Sequence, residues 1–244
     1  MRVLALYDIH GNAAALDAVL ADLRAADVDA VVIGGDAVSG PQPVDVLARL
    51  DALPATAVWI RGNSERELSE VSPASIGVDA SMPVQVAALT LEALGYERAQ
   101  RLAALPLTAE LDGVLYCHAT PRRDDEILTR SSPDERYEAA LAGVGARTVV
   151  AGHTHQQDDR RVGGWRFVNA GSVGFPYEGD PAARWLLVQN GEPVLMSTRY
   201  DVEAAVAAIR ASGFPAEDML AMALAEPADP ISITAMLEST ASNA

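Results

Sequence analysis

The sequence predicts an α/β protein whose strands do not all run parallel, and two observations carry that prediction. The apolar run Val3-Leu4-Ala5-Leu6 gives way to helical spacing at Leu16, Val19, Leu20 and Leu23, and then to the fully apolar Ala30-Val31-Val32-Ile33. Strand, helix and strand within so short a length form a βαβ unit with a parallel pair. Asp112-Gly113, set between Leu107 to Leu111 and Val114 to Cys117, is a two-residue hairpin signal that adds antiparallel pairing.

The remaining elements follow in order. Pro43 to Leu50 predicts a second helix, and Thr56 to Ile60 a third strand that ends in Arg61-Gly62-Asn63. Ser64 with Glu67 resembles a capping box, so a helix starts there and both residues read first as helix caps. Ser72 to Ser81 is polar, with Pro73, Gly77 and Pro83 in or beside it, and predicts a loop. Val84 to Leu94 and Tyr96 to Leu105 predict two helices broken near Gly95, either a lid beside a site or a packing layer. After His118-Ala119-Thr120-Pro121 comes a charged loop, Arg122 to Glu126, and then a helix with Ser132 as cap, Pro133 first and Glu135 completing the box.

Thr148 to Ala151 is another buried strand, and it ends in Gly152-His153-Thr154-His155. Beyond Gly163-Gly164, strands at Trp165 to Val168, Trp185 to Gln189 and Val194 to Thr198 predict an antiparallel second sheet, the last two joined through Asn190-Gly191. Val202 to Ala211 and Ala216 to Leu224 predict helices. The tail from Pro227 to Ala244 has little pattern and is expected to be partly mobile or used in self-association as a homo-oligomer. One domain over 1–244 is the simplest account, with a helical insert at about 66–106 and a helical C-terminal extension at about 201–244.

Half of the 244 residues are hydrophobic, enough for a substantial core, and the formal charge of -16 bounds the partners. A nucleic-acid polymer or an anionic membrane needs clustered basic surface, so both are disfavoured. An anionic small substrate needs local positive charge, which metal ions can supply. Cys117 is the only cysteine, which excludes an internal disulfide and a thiolate-rich zinc site. With no apparent signal peptide and no apolar run near the ~18 residues of a membrane span, the expected location is cytoplasmic.

Chemistry concentrates after strand ends. Tyr7-Asp8-Ile9-His10-Gly11-Asn12 follows the first strand, and a carboxylate and an imidazole two residues apart on extended backbone project to the same side. Alone, the pair is weak evidence for a metal. All four histidines, His10, His118, His153 and His155, lie just beyond a predicted strand, and so do Asp8, Asp36 and Asn63. In open α/β sheets ligands bind at that edge. Seven N and O donors exceed one four-coordinate ion but suit two, bridged by a carboxylate, with positions open for water and substrate. Two divalent ions less two carboxylates leave about +2, enough to attract a phosphate and make bound water a nucleophile at neutral pH. In-line hydrolysis at phosphorus is the reaction class this implies.

Asp8-Ile9-His10-Gly11-Asn12, Gly35-Asp36, Gly62-Asn63, His118 and Gly152-His153-Thr154-His155 resemble, in order, the motifs of the calcineurin-like metallophosphoesterases. Asn169-Ala170-Gly171-Ser172-Val173-Gly174 resembles a segment of their small prokaryotic branch. The resemblance spans residues 3 to about 200 and implies a four-layer αββα sandwich, two mixed sheets face to face with helices outside. It implies that Asp8, His10 and His155 hold one metal ion, that Asn63, His118 and His153 hold the other, and that Asp36 bridges them. Asp36, Asn63 and His118 are the residues it assigns to catalysis. The family's ions are manganese, iron, zinc or nickel, and this donor set does not choose among them.

The sequence departs from the family pattern at Ser64, where many members carry a histidine thought to assist the leaving oxygen. A serine hydroxyl is a poor general acid near neutral pH. Arg61 and Arg122, with Arg123, are candidate phosphate clamps, although Asp124, Asp125 and Glu126 make a surface ion-pair cluster an equal reading. Asn12 either orients a ligand or substrate or caps the first helix. The expected function is a metal-dependent phosphoric ester hydrolase acting on a small phosphodiester, with phosphomonoesters and nucleotides also open. The alternatives are a scaffold of the same fold that binds metal without catalysis, and a nuclease, which the acidic balance disfavours. The segments 66–113 and 119–132 are expected to set the substrate.

Overall fold

Alternation along the first strand, β1 (Arg2–Leu6), sets the layering, because Val3 and Ala5 face one way while Leu4 and Leu6 face the other. The computed structural model describes residues 1–53, 56–72, 74, 80–215 and 217–241, apart from the side chains of 23–26. The chain runs from β1 through α1 (Ala13–Ala26), β2 (Ala30–Ile33), α2 (Pro43–Asp51), β3 (Thr56–Trp59) and α3 (Asn63–Glu67) to α4 (Met82–Leu94) and α5 (Tyr96–Ala103). It continues with β4 (Thr108–Leu111), β5 (Val114–Cys117), α6 (Asp134–Leu141), β6 (Thr148–Ala151), β7 (Gln157–Val162) and β8 (Trp165–Ala170). The last elements are β9 (Ala183–Gln189), β10 (Glu192–Thr198), α7 (Val202–Arg210), α8 (Glu217–Ala225) and α9 (Pro230–Ala241).

The strands form two mixed five-stranded sheets, ordered β10-β9-β1-β2-β3 and β4-β5-β6-β8-β7. Val3, Ala5, Val32 and Leu186 of the first sheet meet Tyr116, Val150 and Val168 of the second in one dry core. Tyr7 lies fully buried in that core, and its hydroxyl donates across it to the Val150 carbonyl at 3.1 Å. The outer face of the first sheet packs on residues of α1, α2, α4 and α5, and that of the second on Tyr137, Ala140 and Leu141 of α6. This is the four-layer αββα arrangement expected. Burying each such leucine or valine contributes about 1.5–3 kcal/mol.

Several details differ from the sequence reading. The three late strands do not form a sheet of their own. β9 and β10 extend the first sheet, with Val3 opposite Val188, whereas β8 lies between β6 and β7 in the second. β7, Gln157 to Val162, escapes the sequence because its charged residues occupy an edge. The tail is not patternless in three dimensions. Residues 230–241 form α9, where Thr234 donates to Gln156 and Glu238 accepts from Thr129, Ser132 and Arg136. Ser132 therefore does not cap α6, whose N-cap is Pro133. Helices α4 and α5 supply a packing layer, as Leu91, Ala99 and Leu102 show, and the start of α4 also borders the site. Most of the loop expected over Ser72 to Ser81, and the Leu23 side chain, lie outside the described residues. Among the described residues no helix is long and apolar enough to cross a membrane.

Candidate metal centre

Six of the seven expected ligands sit in the turns that leave β1, β2, β5 and β6, and Asn63 opens α3 just after β3. Asp8, His10 and His155 each bring one donor atom within 4.8 Å of the others, and so do Asp36, His118 and His153. Carboxylates connect the two groups. Asp36 reaches His10 Nε2 through Oδ2 and His118 Nε2 through Oδ1, each at 3.6 Å. Asp8 Oδ1 lies 3.3 Å from His155 Nε2 and 3.8 Å from the Nε2 atoms of His10 and His118.

The ring nitrogens turned away from the centre fix the tautomers. Nδ1 of His10 donates to the Ser39 carbonyl, Nδ1 of His118 to Gly34 and Nδ1 of His155 to Phe175, at 3.0, 2.9 and 2.7 Å. A carbonyl only accepts, so each Nδ1 carries a hydrogen and each Nε2 is left facing inward, able to ligate a metal once it has given up any proton. His10 Nε2 and His155 Nε2 are 3.2 Å apart, a spacing that either a shared proton or a bound cation satisfies. Asp8 Oδ1, Asn63 Oδ1 and His118 Nε2 are buried without a hydrogen-bond partner. An orphaned buried acceptor costs about 1–3 kcal/mol, and three in one place fit a pair of divalent ions.

Without ions, the groups satisfy one another by protonation. Burial works to raise Asp36, but His118, His10 and His153 outweigh it and hold the carboxyl well below the usual range. Burial likewise opposes His118, and Asp36 and Asp8 outweigh it and push the imidazole up to about 10. His153 goes the other way, down to about 4, through burial and the neighbouring His118. Asp8 is lowered because His155 and His118 overcome its burial. A metal ion entering this site displaces protons from imidazole, so its affinity drops as the pH is lowered.

The backbone departs from the sequence expectation. Asp8 and His10 are not on extended chain; they have φ of 52° and 46°, and Asp36, His153 and His155 lie at 52°, 69° and 57°. Left-handed backbone costs a non-glycine residue about 1–2 kcal/mol. It is held here by main-chain bonds between turns, Asp8 N to Gly35 O at 3.1 Å, His10 N to Asp36 O at 2.9 Å and Gly174 N to Asp8 O at 3.0 Å. Gly62 and Gly152 permit the closest approaches. A Cβ on Gly62 would stand 2.1 Å from Asp36 Oδ1, and one on Gly152 would stand 2.4 Å from Asp8 Oδ2.

A sequence model of the calcineurin-like phosphoesterase superfamily domain matches residues 1–190. The chain belongs to that superfamily. A metallophosphoesterase from Sphaerobacter thermophilus superposes with a TM-score of 0.70 at 26% identity, over 93% of this chain and 99% of that one. A hypothetical protein from Pyrococcus horikoshii OT3 has the same fold, with a TM-score of 0.80 at 21% identity, over 93% of this chain and 99% of that one. No curated protein matches the chain.

The substrate-contact candidates of this calcineurin-like phosphoesterase are placed differently from its ligands. Asn12 caps α1 through Ala15 N and donates to the Gly174 carbonyl, so its amide is engaged in structure. Arg61 pairs with Asp124 and donates to the Ala103 carbonyl. Arg122 pairs with Glu126 and with the Ala139 carbonyl. None of the three lines the cleft over the centre. The helix that begins at Asn63 starts two residues earlier than a Ser64 cap implies, with Gly62 as N-cap and Glu65 as the carboxylate at its third position.

Two residues brace the centre in ways that the sequence reading does not assign to them. Glu65 accepts from the backbone of Asp36, Ala37 and Gly62, and the signal for it was a Gly-x-x-Glu spacing that fits a capping box as well as Ser64 to Glu67 does. Glu67 accepts from Asn63 Nδ2 at 3.1 Å and thereby leaves Oδ1 as the atom presented inward. Glu67→Ala frees that amide to turn. It is expected to weaken metal binding at the group that holds His118 and His153 by about tenfold, read by competition with a fluorescent chelator. Unchanged metal affinity would refute the orienting role.

Proposed function

We propose that this phosphoesterase hydrolyses phosphodiesters at a centre of two divalent transition-metal ions, manganese, iron, zinc or nickel. Asp8, His10 and His155 hold the first, Asn63, His118 and His153 hold the second, and Asp36 is shared. When bound, the ions supply Lewis acidity toward a phosphoryl oxygen and a water acidic enough to attack at neutral pH. The observation that carries this reading is two donor groups joined by carboxylates, with Nε2 atoms facing inward and three unpaired buried atoms.

The chain's own contribution is placement. Carbonyls of Ser39, Gly34 and Phe175 lock three imidazoles, and Ser64 N donates to Asp36 Oδ1 at 2.9 Å, which fixes the shared carboxylate. In the reaction, water oxygen bonds to phosphorus, one ester P–O bond breaks, and the departing oxygen takes a proton. Ser64 borders the cleft where the family pattern has histidine, and its hydroxyl is a weak proton donor. The rate is therefore expected to fall steeply with leaving-group pKa, measured over a series of substituted aryl methyl phosphates. A flat dependence would show that another group protonates the leaving oxygen.

The primary test is metal content together with turnover of bis(p-nitrophenyl) phosphate after loading with manganese, iron, zinc or nickel. Two ions per chain and metal-dependent release of p-nitrophenol are expected. A chain that releases no p-nitrophenol, with or without bound metal, would instead be a scaffold of the same fold.

A further inference from the structure

The cleft above the donor groups has a volume of about 610 Å³ and walls of a different character from its floor. Met82 and Val86, at the start of α4, form one side. Phe214, Met219 and Leu220 form the other, from α8 and the turn before it, all beyond the segment that matches the superfamily domain. Tyr177 stacks on the His155 ring at 4.8 Å and carries the apolar surface down to the centre. Among the described residues no arginine or lysine lines this cleft, and the only charged side chain on it besides the donor set is Glu67.

That combination selects by chemistry. Two divalent ions less Asp8 and Asp36 leave about +2, and Glu67 at the rim reduces what an incoming anion meets. A single phosphodiester charge is matched there. Each additional phosphate would face Glu67 or apolar walls and lose its hydration with no cation to replace it. Sugar hydroxyls would suffer a smaller version of the same loss. Methionine at the entrance adapts to flat or irregular apolar groups.

We propose that the start of α4 and the Phe214 to α8 segment form a pocket for the uncharged, apolar ester group of a monoanionic phosphodiester, aromatic in size and shape. The inference rests on the hydrolase reading. The C-terminal extension is thus a determinant of specificity, and polyphosphorylated nucleotides are poor substrates.

The test keeps the leaving group constant and varies the group that stays on phosphorus. The metal-loaded full chain is given phenyl, methyl and thymidine 5′ p-nitrophenyl phosphates, with ATP as the polyanion. The phenyl ester is expected to exceed each of the others at least tenfold in kcat/KM. In Met219→Asp and in Val86→Ser the phenyl-to-methyl ratio is expected to fall at least threefold. That ratio is taken on one preparation, so a partly folded variant does not change it. Equal values for phenyl and methyl esters, a faster thymidine ester, ATP turnover equal to that of the phenyl ester, or ratios untouched by both variants would each overturn the proposal while leaving the hydrolase reading intact. Absence of turnover with every ester would remove the hydrolase reading instead. Calorimetric titration of the metal-loaded chain with phenylphosphonate and methylphosphonate then decides the pocket alone, and equal affinities would overturn it.

Discussion

Glu65→Ala is expected to destabilise the metal-free protein by about 3–4 kcal/mol, the largest effect on stability of any single residue at the centre. The side chain is 2% exposed, and its two oxygens accept three backbone N–H groups, from Asp36 at 2.8 Å, Ala37 at 2.9 Å and Gly62 at 2.9 Å. It thereby ties the turn after β2 to the turn after β3. Burial and the adjacent Asp36 carboxylate push its own pKa up to about 6, against the pull of those three donors. Alanine would orphan all three, each at about 1–3 kcal/mol before water enters the gap. Glu65→Gln keeps one acceptor and turns an NH2 toward an N–H, so its cost should be intermediate, about 1–2 kcal/mol. Urea unfolding followed by circular dichroism measures both. A midpoint for Glu65→Ala equal to that of the native chain would refute the clamp.

Why Glu65 went unseen shows where local pattern stops. A carboxylate that serves two residues of a turn 28 and 29 positions away leaves no periodic trace, and the neighbouring Ser64 to Glu67 spacing fits the same template. The first sheet's parallel core was legible because β2 is apolar on both faces, and β4 and β5 because Asp112-Gly113 requires left-handed φ, found at 53° and 77°. Assignment of β9 was not legible, since its partner β1 lies some 180 residues earlier and either sheet would have buried its Leu186 and Val188 equally well. The tail was unreadable for a related reason. α9 buries only Thr234 and is anchored by polar contacts of Glu238, so no apolar stripe marked it. At the centre the residue types and their order could be read from the sequence. Their backbone could not, because strand alternation does not carry past Leu6, and two and four residues beyond it Asp8 and His10 enter the left-handed region.

Asp36→Asn should lower turnover of bis(p-nitrophenyl) phosphate at least about 10³-fold, equivalent to about 4 kcal/mol of transition-state stabilisation. The native carboxylate is 3% exposed and addresses both donor groups, Oδ2 toward His10 and Oδ1 toward His118, while Oδ1 also accepts Ser64 N. An amide has one acceptor oxygen. If that oxygen keeps the Ser64 bond, the NH2 is turned toward the His10 and His155 group, where it repels a cation and cannot ligate it. If the amide flips, Ser64 N–H meets a donor and is orphaned, at about 1–3 kcal/mol. Either way one negative charge is lost from between two sites that need it. Metal content should drop below two ions per chain, with the ion at His118 and His153 retained less tightly. Circular dichroism and a melting curve distinguish this from unfolding, because Glu65 still holds the turn through Asp36 N and Ala37 N. A variant that keeps both ions and turns over within tenfold of the native chain would mean that Asp36 does not join the two groups. The binuclear mechanism would then have to be abandoned in favour of chemistry at a single ion.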